Sequence, residues 1–173
     1  MIRAAAFALA LAGCATTPAP QSNAAPAAPC SGAEYRQMDF WLGAWNASWD
    51  ATPGSPAGTG SNTISKTHGD CVIRGGFSGG GLNGRSLSMY DAASGQWRQS
   101  WVDDQGGYFA LTGGFVGDRF ILENTRLDDD DPHLRIVFED IRADAITWRW
   151  QRSADAGESW SDLWVIAYTR RAE

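Results

Sequence analysis

The sequence predicts an all-β protein: an antiparallel up-and-down β-barrel of about ten strands that follows a short N-terminal helix. Short runs of β-type residues alternate with turns rich in glycine, of which the chain has 20, and no long helical pattern occurs. The runs follow one another at hairpin spacing, which is typical of a closed barrel or a sandwich. Closure favours the barrel, because it removes the exposed edges that a large open sheet would leave.

The elements are assigned in chain order from these patterns. The capping-box pattern Ser31-Gly32-Ala33-Glu34 predicts a short helix over about residues 32–39. Trp45, Ala47 and Trp49 then alternate with polar residues, as in a half-buried strand. The predicted strands are 44–52, 58–67, 71–79, 84–91, 96–103, 107–114, 119–127, 133–143, 146–153 and 160–171.

The turn between the fourth and fifth strands sets which side chains face the interior. A five-residue loop over 91–95 would place Leu87 and Met89 on the same face as Trp97, Gln99 and Trp101. A four-residue loop would instead pair Tyr90 with Trp97 and bring Ser86 and Ser88 beside the tryptophans. Since a shift of one residue turns a whole strand over, the hydrophobic pattern favours the five-residue loop, with Gln99 pointing inward.

A second turn carries a known hairpin pattern. The residues Ser153-x-Asp155-x-Gly157-x-x-Trp160 resemble an Asp-box hairpin, in which the aspartate holds its own turn. A single copy carries no glycosidase implication.

Residues 1–13 have the features of a bacterial lipoprotein signal peptide. Arg3 gives a positive start, an apolar run follows, and Leu11-Ala12-Gly13-Cys14 resembles the site where cleavage leaves a lipid-modified cysteine. The alternative is a plain secretory signal, which would also export the protein. Ala15 after the cysteine favours the outer membrane, because an aspartate there tends to retain lipoproteins in the inner membrane.

The rest of the chain divides into a tether and one domain. Residues 14–30 are rich in alanine and proline and contain no aromatic side chain, which predicts a flexible tether. Residues 31–173 have the size of a single barrel domain. With Cys14 assigned to lipid, Cys30 and Cys71 remain in an oxidising compartment, where a disulfide between them is expected.

The stretch around the first strand resembles known families. The order of short helix, Gly43-x-Trp45 and strand resembles the lipocalin-like (calycin) barrels, and Asp39-Phe40-Trp41-Leu42-Gly43 resembles the DUF1579 family of uncharacterised bacterial secreted proteins. The resemblance runs from about Tyr35 to Arg171. It implies that the barrel closes at Gly43 and Trp45, with Arg170 rather than Arg171 of the last strand against the Trp45 ring.

The residues that could carry chemistry are few, and no cofactor, metal or catalytic residue is expected. His68 and His133 are the only histidines; a haem-ligand role, by analogy with nitrobindin-like barrels, is set against a solvated loop position for His133. The acidic run 128–131 lacks the spacing of an EF-hand, so a solvated turn is expected there rather than Ca²⁺ binding. No nucleophile elbow or phosphate-binding loop occurs.

Net charge argues against a nucleic-acid partner. The formal charge is −6, and loss of Arg3 with the signal would make it −7, so the chain lacks the basic footprint that phosphate binding requires.

Tryptophan is the most conspicuous residue type, with nine copies. The pairs at 45/49, 97/101, 148/150 and 160/164 each share a strand face, which fits either a filled aromatic core or an aromatic-walled cavity for an apolar ligand. The candidate ligand-binding residues are Trp97, Gln99, Trp101, Thr112, Trp148, Trp150 and Asn62.

Three functions are compatible with these observations. The first is a lipid-anchored envelope protein on the periplasmic face of the outer membrane, which binds a small hydrophobic ligand without catalysis. The second is an envelope structural or interaction module with a filled core. The third is a haem-binding or enzymatic barrel of nitrobindin-like type.

Overall fold

The computed structural model describes residues 28–124 and 131–172, which form a closed antiparallel β-barrel of ten strands. Each strand pairs with its neighbour in sequence, and the last pairs with the first, so the predicted up-and-down barrel is confirmed and a sandwich is excluded. The signal peptide, Cys14 and most of the tether lie outside the described residues. The strands are β1 (Gly43–Trp49), β2 (Gly58–Thr67), β3 (Val72–Gly79), β4 (Leu82–Asp91), β5 (Gln96–Asp103), β6 (Tyr108–Val116), β7 (Arg119–Asn124), β8 (His133–Glu139), β9 (Ala145–Ser153) and β10 (Ser161–Arg170).

The N-terminal segment forms two short 3₁₀ helices, Ala33–Arg36 and Asp39–Trp41, rather than one helix over 32–39. The predicted capping box is absent, because the Ser31 hydroxyl donates to the carbonyl of Ala28 and the first helix has no side-chain cap. The backbone leaves helical geometry at Met38, between the two turns. This break lets both Met38 and Trp41 be buried in the barrel.

These two turns close one end of the barrel, called the closed end below. The Trp41 ring stacks on Trp45, whose indole N–H donates to the Trp41 carbonyl at 2.9 Å. Phe40 meets Phe120 and Phe138 edge to face, with ring centroids 5.8 and 5.6 Å away. The segment is therefore held by large buried rings, which dominate core energetics in small domains.

The seam between β1 and β10 is fixed at the closed end by Arg170. Its guanidinium lies over the Trp45 ring, with the central carbon 4.2 Å from the ring centroid, as the lipocalin resemblance implies. The same group donates to the carbonyls of Leu42 and Ala143 at 2.7 and 2.5 Å. Gly43 has a φ of 117°, and a Cβ there would collide with the guanidinium. Both the backbone angle and the close approach require glycine.

The predicted disulfide between Cys30 and Cys71 is present. It joins the segment before the first 3₁₀ helix to the start of β3, across a sequence separation of 41. On the chain-entropy model, a loop of that length stabilises the fold by about 4 kcal/mol.

The hairpin between β9 and β10 has the hydrogen bonds expected of an Asp-box turn. Ser153 donates to Asp155, and the backbone N–H groups of Gly157 and Ser159 donate to Ser153 Oγ and to Asp155, each at 2.8 Å. Hydrogen bonds, first of all that from the Ser159 hydroxyl, lower the pKa of Asp155 to about 2. The carboxylate thus stays ionised and holds its own turn.

The prediction that Trp160 and Trp164 share a face is wrong, because a β-bulge intervenes. The β9–β10 register shifts between Asp162 and Trp164. The extra residue turns the strand over, so that Trp164 contacts interior rings while Trp160 lies outside against Arg135.

The prediction of a five-residue loop between β4 and β5 is also wrong. Asp91 pairs with Gln96 and Tyr90 with Trp97, so the loop has four residues and Ser88 pairs with Gln99. The Asp91 carboxylate accepts hydrogen bonds from the Ala93 N–H and the Ser94 hydroxyl, which stabilises the shorter turn.

The outer face of β4 carries the residues that the hydrophobic pattern had assigned to the interior. Leu87 and Met89 point outward with 49 % and 46 % of their surface exposed. Ser86 and Ser88 take the inner positions instead. The hydrophobic pattern was misleading because it assumed that the apolar residues of this strand face inward.

Replacing Arg170 tests the barrel seam. Arg170→Ala removes a cation–π contact and two charged hydrogen bonds at a partly solvated site, so we expect a loss of about 1–2 kcal/mol in the free energy of unfolding. In thermal unfolding this is a decrease of several degrees in melting temperature. Arg171→Ala, one residue further along and exposed, is the matched control; equal melting temperatures for the two variants would refute the role of Arg170.

Candidate functional site

The barrel contains a cavity of about 300 Å³ above the closed end, partly open to solvent. Trp41 lines it from the closed end, and aromatic side chains from several strands form most of its wall. These are Phe77, Trp101, Phe109, Phe138, Trp148, Trp150 and Trp164. The volume lies at the lower end of the range found for small-molecule sites in proteins.

Glycines on the inner face of β3 and β4 make room for side chains of the cavity wall. The Trp101 ring lies directly against Gly84, where a Cβ would overlap it. Gly75 likewise has no room for a Cβ, because the Ser86 hydroxyl occupies that place. The two glycines therefore let the Trp101 ring and the Ser86 hydroxyl pack closely where these side chains line the cavity.

Asn62 is the most buried polar group of the cavity wall that lacks a full set of partners. The residue is 8 % exposed, and its amide nitrogen donates to the Tyr168 hydroxyl at 3.5 Å. Its amide oxygen has no hydrogen-bond partner. Burial raises the pKa of Tyr168 above its usual value, so the phenol is neutral. A buried acceptor without a partner costs free energy that a ligand donor would recover.

Gln99 points inward, as predicted, and its amide nitrogen donates to the Ser88 hydroxyl at 2.8 Å. Both residues are buried, and Gln99 also lines the cavity. The Gln99 amide thus already has a partner within the protein, which the five-residue register had not foreseen.

Asp103 is the only carboxylate on the cavity wall among the described residues. It accepts hydrogen bonds from the Trp101 indole N–H at 2.8 Å and from the backbone N–H groups of Gly107 and Gln105 at 2.8 and 3.0 Å. These bonds, the one from Trp101 first, lower its pKa. The group is therefore a fixed negative charge on the lining.

The structure brings together five of the seven predicted ligand-binding residues. Asn62, Gln99, Trp101, Trp148 and Trp150 all line the cavity.

The remaining two do not line the cavity. Trp97 is buried at the closed end, where its indole donates to Gln37 at 3.1 Å. Thr112 lies on the outer face, paired with Arg98 and Glu123, because its inward neighbour is Leu111.

Sequence reasoning missed Tyr168, Trp164 and Ser86. The expected contact of Arg170 with Trp45 could have located Tyr168, since the same antiparallel register pairs it with the inward Ala47. No local pattern reveals the bulge that turns Trp164 inward or the four-residue loop that turns Ser86 inward.

The histidines do not line the cavity. His68 lies in an exposed loop with a φ of 54°. The prediction that His133 is a solvated loop residue is wrong, because His133 begins β8. The centroid of its ring lies 4.6 Å from that of the Trp160 ring, and its Nε2 lies 3.3 Å from a Glu123 carboxylate oxygen. Its position directly after the acidic run 128–131 and Pro132 in the sequence concealed this contact with the Asp-box tryptophan.

Within residues 28–124 and 131–172, no three His, Cys, Asp or Glu side chains are arranged to hold a metal ion. Most of the acidic run, 128–130, lies outside the described residues. In the part of the chain that the structure describes, no helix has the length and apolar character needed to cross a bilayer.

Comparison with known proteins assigns no family. No protein-family model matches the sequence, and no curated protein is significantly similar to it. The geometry of the cavity and the sequence motifs are therefore the basis for a functional proposal.

The Gln99–Ser88 hydrogen bond predicts a specific effect on stability. Gln99→Leu leaves the buried Ser88 hydroxyl without this partner, so we expect a loss of about 1–3 kcal/mol in urea unfolding. Adding Ser88→Ala should recover most of the loss, because both polar partners are then gone. Gln96→Leu, at an exposed position of the same strand, is the control. Unchanged stability of Gln99→Leu alone would show that the hydrogen bond contributes nothing.

Proposed function

We propose that the protein is a lipid-anchored component of the bacterial cell envelope whose barrel binds a small hydrophobic or aromatic ligand without chemical conversion. The observation that carries the binding role is the unpartnered, buried oxygen of Asn62 in an otherwise aromatic cavity. A few fixed polar groups within an apolar lining are typical of small-molecule sites. A cavity of about 300 Å³ also argues against the filled core that the second hypothesis required.

The composition of the lining supports binding rather than catalysis. Among the described residues, the cavity wall has no histidine, cysteine or lysine. The Ser86 hydroxyl on this wall therefore has no histidine or lysine beside it in the lining to act as a general base. Asp103 is engaged in holding its own turn. The haem alternative is weakened by the same lining, since neither His68 nor His133 belongs to it.

The proposed location rests on the sequence and is consistent with the disulfide. Residues 1–13 are proposed to be removed, residues 14–30 to tether the lipidated Cys14, and residues 31–173 to form the periplasmic domain. The Cys30–Cys71 bond is typical of proteins that fold in an oxidising compartment.

A second candidate, an interaction module of the envelope, is favoured by one observation. Leu87, Met89, Val102 and Tyr108 expose about half or more of their surface on the outer face of β4, β5 and β6. Contiguous exposed apolar residues often mark an interaction surface.

Filling the cavity tests the binding role. We expect 2-phenylethanol, a small neutral aromatic probe, to bind the purified full chain in isothermal titration calorimetry. Ser86→Leu, which adds bulk at an inner position, should weaken binding by about tenfold or more. Ser100→Leu places the same side chain on the outer face of the adjacent strand and should change the affinity by less than about twofold. Unaltered affinity in Ser86→Leu would place the probe outside the cavity.

The anchor is tested by Cys14→Ser. Loss of the lipid-accepting thiol should move the protein from the outer-membrane fraction to the soluble periplasmic fraction after cell fractionation. Wild-type protein analysed in parallel is the reference, and mass spectrometry of its N-terminal peptide should reveal acyl chains. Retention of Cys14→Ser in the membrane would contradict the lipoprotein assignment.

A further inference from the structure

The cavity offers an available acceptor, whereas several of its donors are already used within the protein. The Asn62 amide nitrogen donates to Tyr168, that of Gln99 donates to Ser88, and the Trp101 indole donates to Asp103. The Asn62 oxygen, in a side chain more than nine-tenths buried, has no partner. A ligand that donates a hydrogen bond to it would therefore satisfy the group, whereas a ligand bearing only acceptors would not.

The cavity wall of the described residues carries negative charge only. Asp103 is on the wall, and no lysine, arginine or histidine of the described residues lines the cavity. Arg149, the nearest basic residue on β9 to the lining Trp148 and Trp150, is bound to Glu139 and Asp162 outside. An anionic ligand would therefore have no cationic partner on the wall and would be repelled by Asp103.

The aromatic wall supplies a further attraction for positive charge. The faces of tryptophan rings attract ammonium groups with about 0.5–2 kcal/mol, most strongly where water is excluded. Five tryptophans line this cavity, at positions 41, 101, 148, 150 and 164. The Asn62 oxygen, the Asp103 carboxylate and the tryptophan rings all favour a ligand that donates hydrogen bonds and carries a positive charge.

We propose that the cavity selects a small protonated amine with an apolar or aromatic body, which donates to the Asn62 oxygen and is attracted by the Asp103 carboxylate. This inference rests on the proposed binding function and narrows it to one class of ligand. It excludes fatty acids and other carboxylates as preferred ligands.

Three probes with similar phenyl-alkyl skeletons separate the class of ligand from binding itself. The purified full chain is titrated by calorimetry with 2-phenylethylamine, 2-phenylethanol and 3-phenylpropanoate. We expect the amine to bind about tenfold more tightly than the alcohol, and the propanoate more weakly than either. The advantage of the amine should decrease as salt is added, because screening weakens the attraction to Asp103.

Two variants test the assigned groups. Asp103→Asn should bring the affinity for the amine close to that for the alcohol. Asn62→Leu should lower the affinity for the amine by about tenfold. Asp104→Asn, in the same turn but absent from the cavity wall, is the matched control and should leave the amine-to-alcohol ratio within about twofold of wild type. If Asp103→Asn unfolds, which thermal unfolding will show, Asn62→Leu and the salt dependence decide.

The outcomes are distinct for the two proposals. Equal or tighter binding of the alcohol or the propanoate overturns the preference for amines while cavity binding stands. An unchanged amine-to-alcohol ratio in folded Asp103→Asn overturns the role of that carboxylate. Failure of all three probes to bind overturns both the preference and the proposed function.

Discussion

The β1–β10 seam holds the sheet closed, and the interior exists only because the sheet is closed. Backbone pairing joins the two strands, and the Arg170 guanidinium adds a contact with the Trp45 ring and hydrogen bonds to carbonyls of Leu42 and Ala143. The carbonyl of Leu42 is available to it because Gly43 lets the chain turn from the second 3₁₀ helix into β1. One side chain thus links the N-terminal segment, the β8–β9 connection and the last strand.

Closure of this end of the barrel also positions the residues that line the cavity there. Trp41 lies between Trp45, Tyr168 and Phe138, with ring centroids about 5 Å apart. Met38 is fully buried beside this cluster. The interior at the closed end is filled, whereas the space above Trp41 remains. The barrel therefore combines a close-packed end with a cavity, and the two depend on the same N-terminal residues.

Side-chain size is distributed unequally around the inner face of the barrel. Inner positions of β3 and β4 carry Gly75, Gly84 and Ser86, whereas β9 and β10 carry tryptophans opposite them. A few polar groups remain in this apolar space: the Asn62–Tyr168 pair, the Gln99–Ser88 pair and the Asp103 carboxylate. Of these, the Asn62 oxygen and Asp103 can offer acceptors to a bound molecule, and this asymmetry connects the fold to the proposed ligand class.

The sequence by itself determined the strand number, nearly all strand positions and the Cys30–Cys71 pair, and its resemblance to lipocalin-like barrels implied the Trp45–Arg170 contact. Alternation and turn residues are local signals, and the disulfide followed from the two cysteines left after Cys14. Asn62, Gln99 and three tryptophans of the cavity were also predicted; the tryptophan pairs 97/101 and 148/150 mark the inner face of β5 and β9, and Gln99 lies between the first pair.

Only the tertiary structure decided the β4–β5 register, the bulge before Trp164 and the resulting faces of Leu87, Met89 and Ser86. A shift of one residue reverses a strand while leaving its local pattern unchanged, and here Asp91 stabilises a turn that leaves apolar residues exposed. The sequence left open whether the interior is a filled core or a cavity, for a related reason. The volume of the cavity is the space left between side chains from strands that lie far apart in the chain.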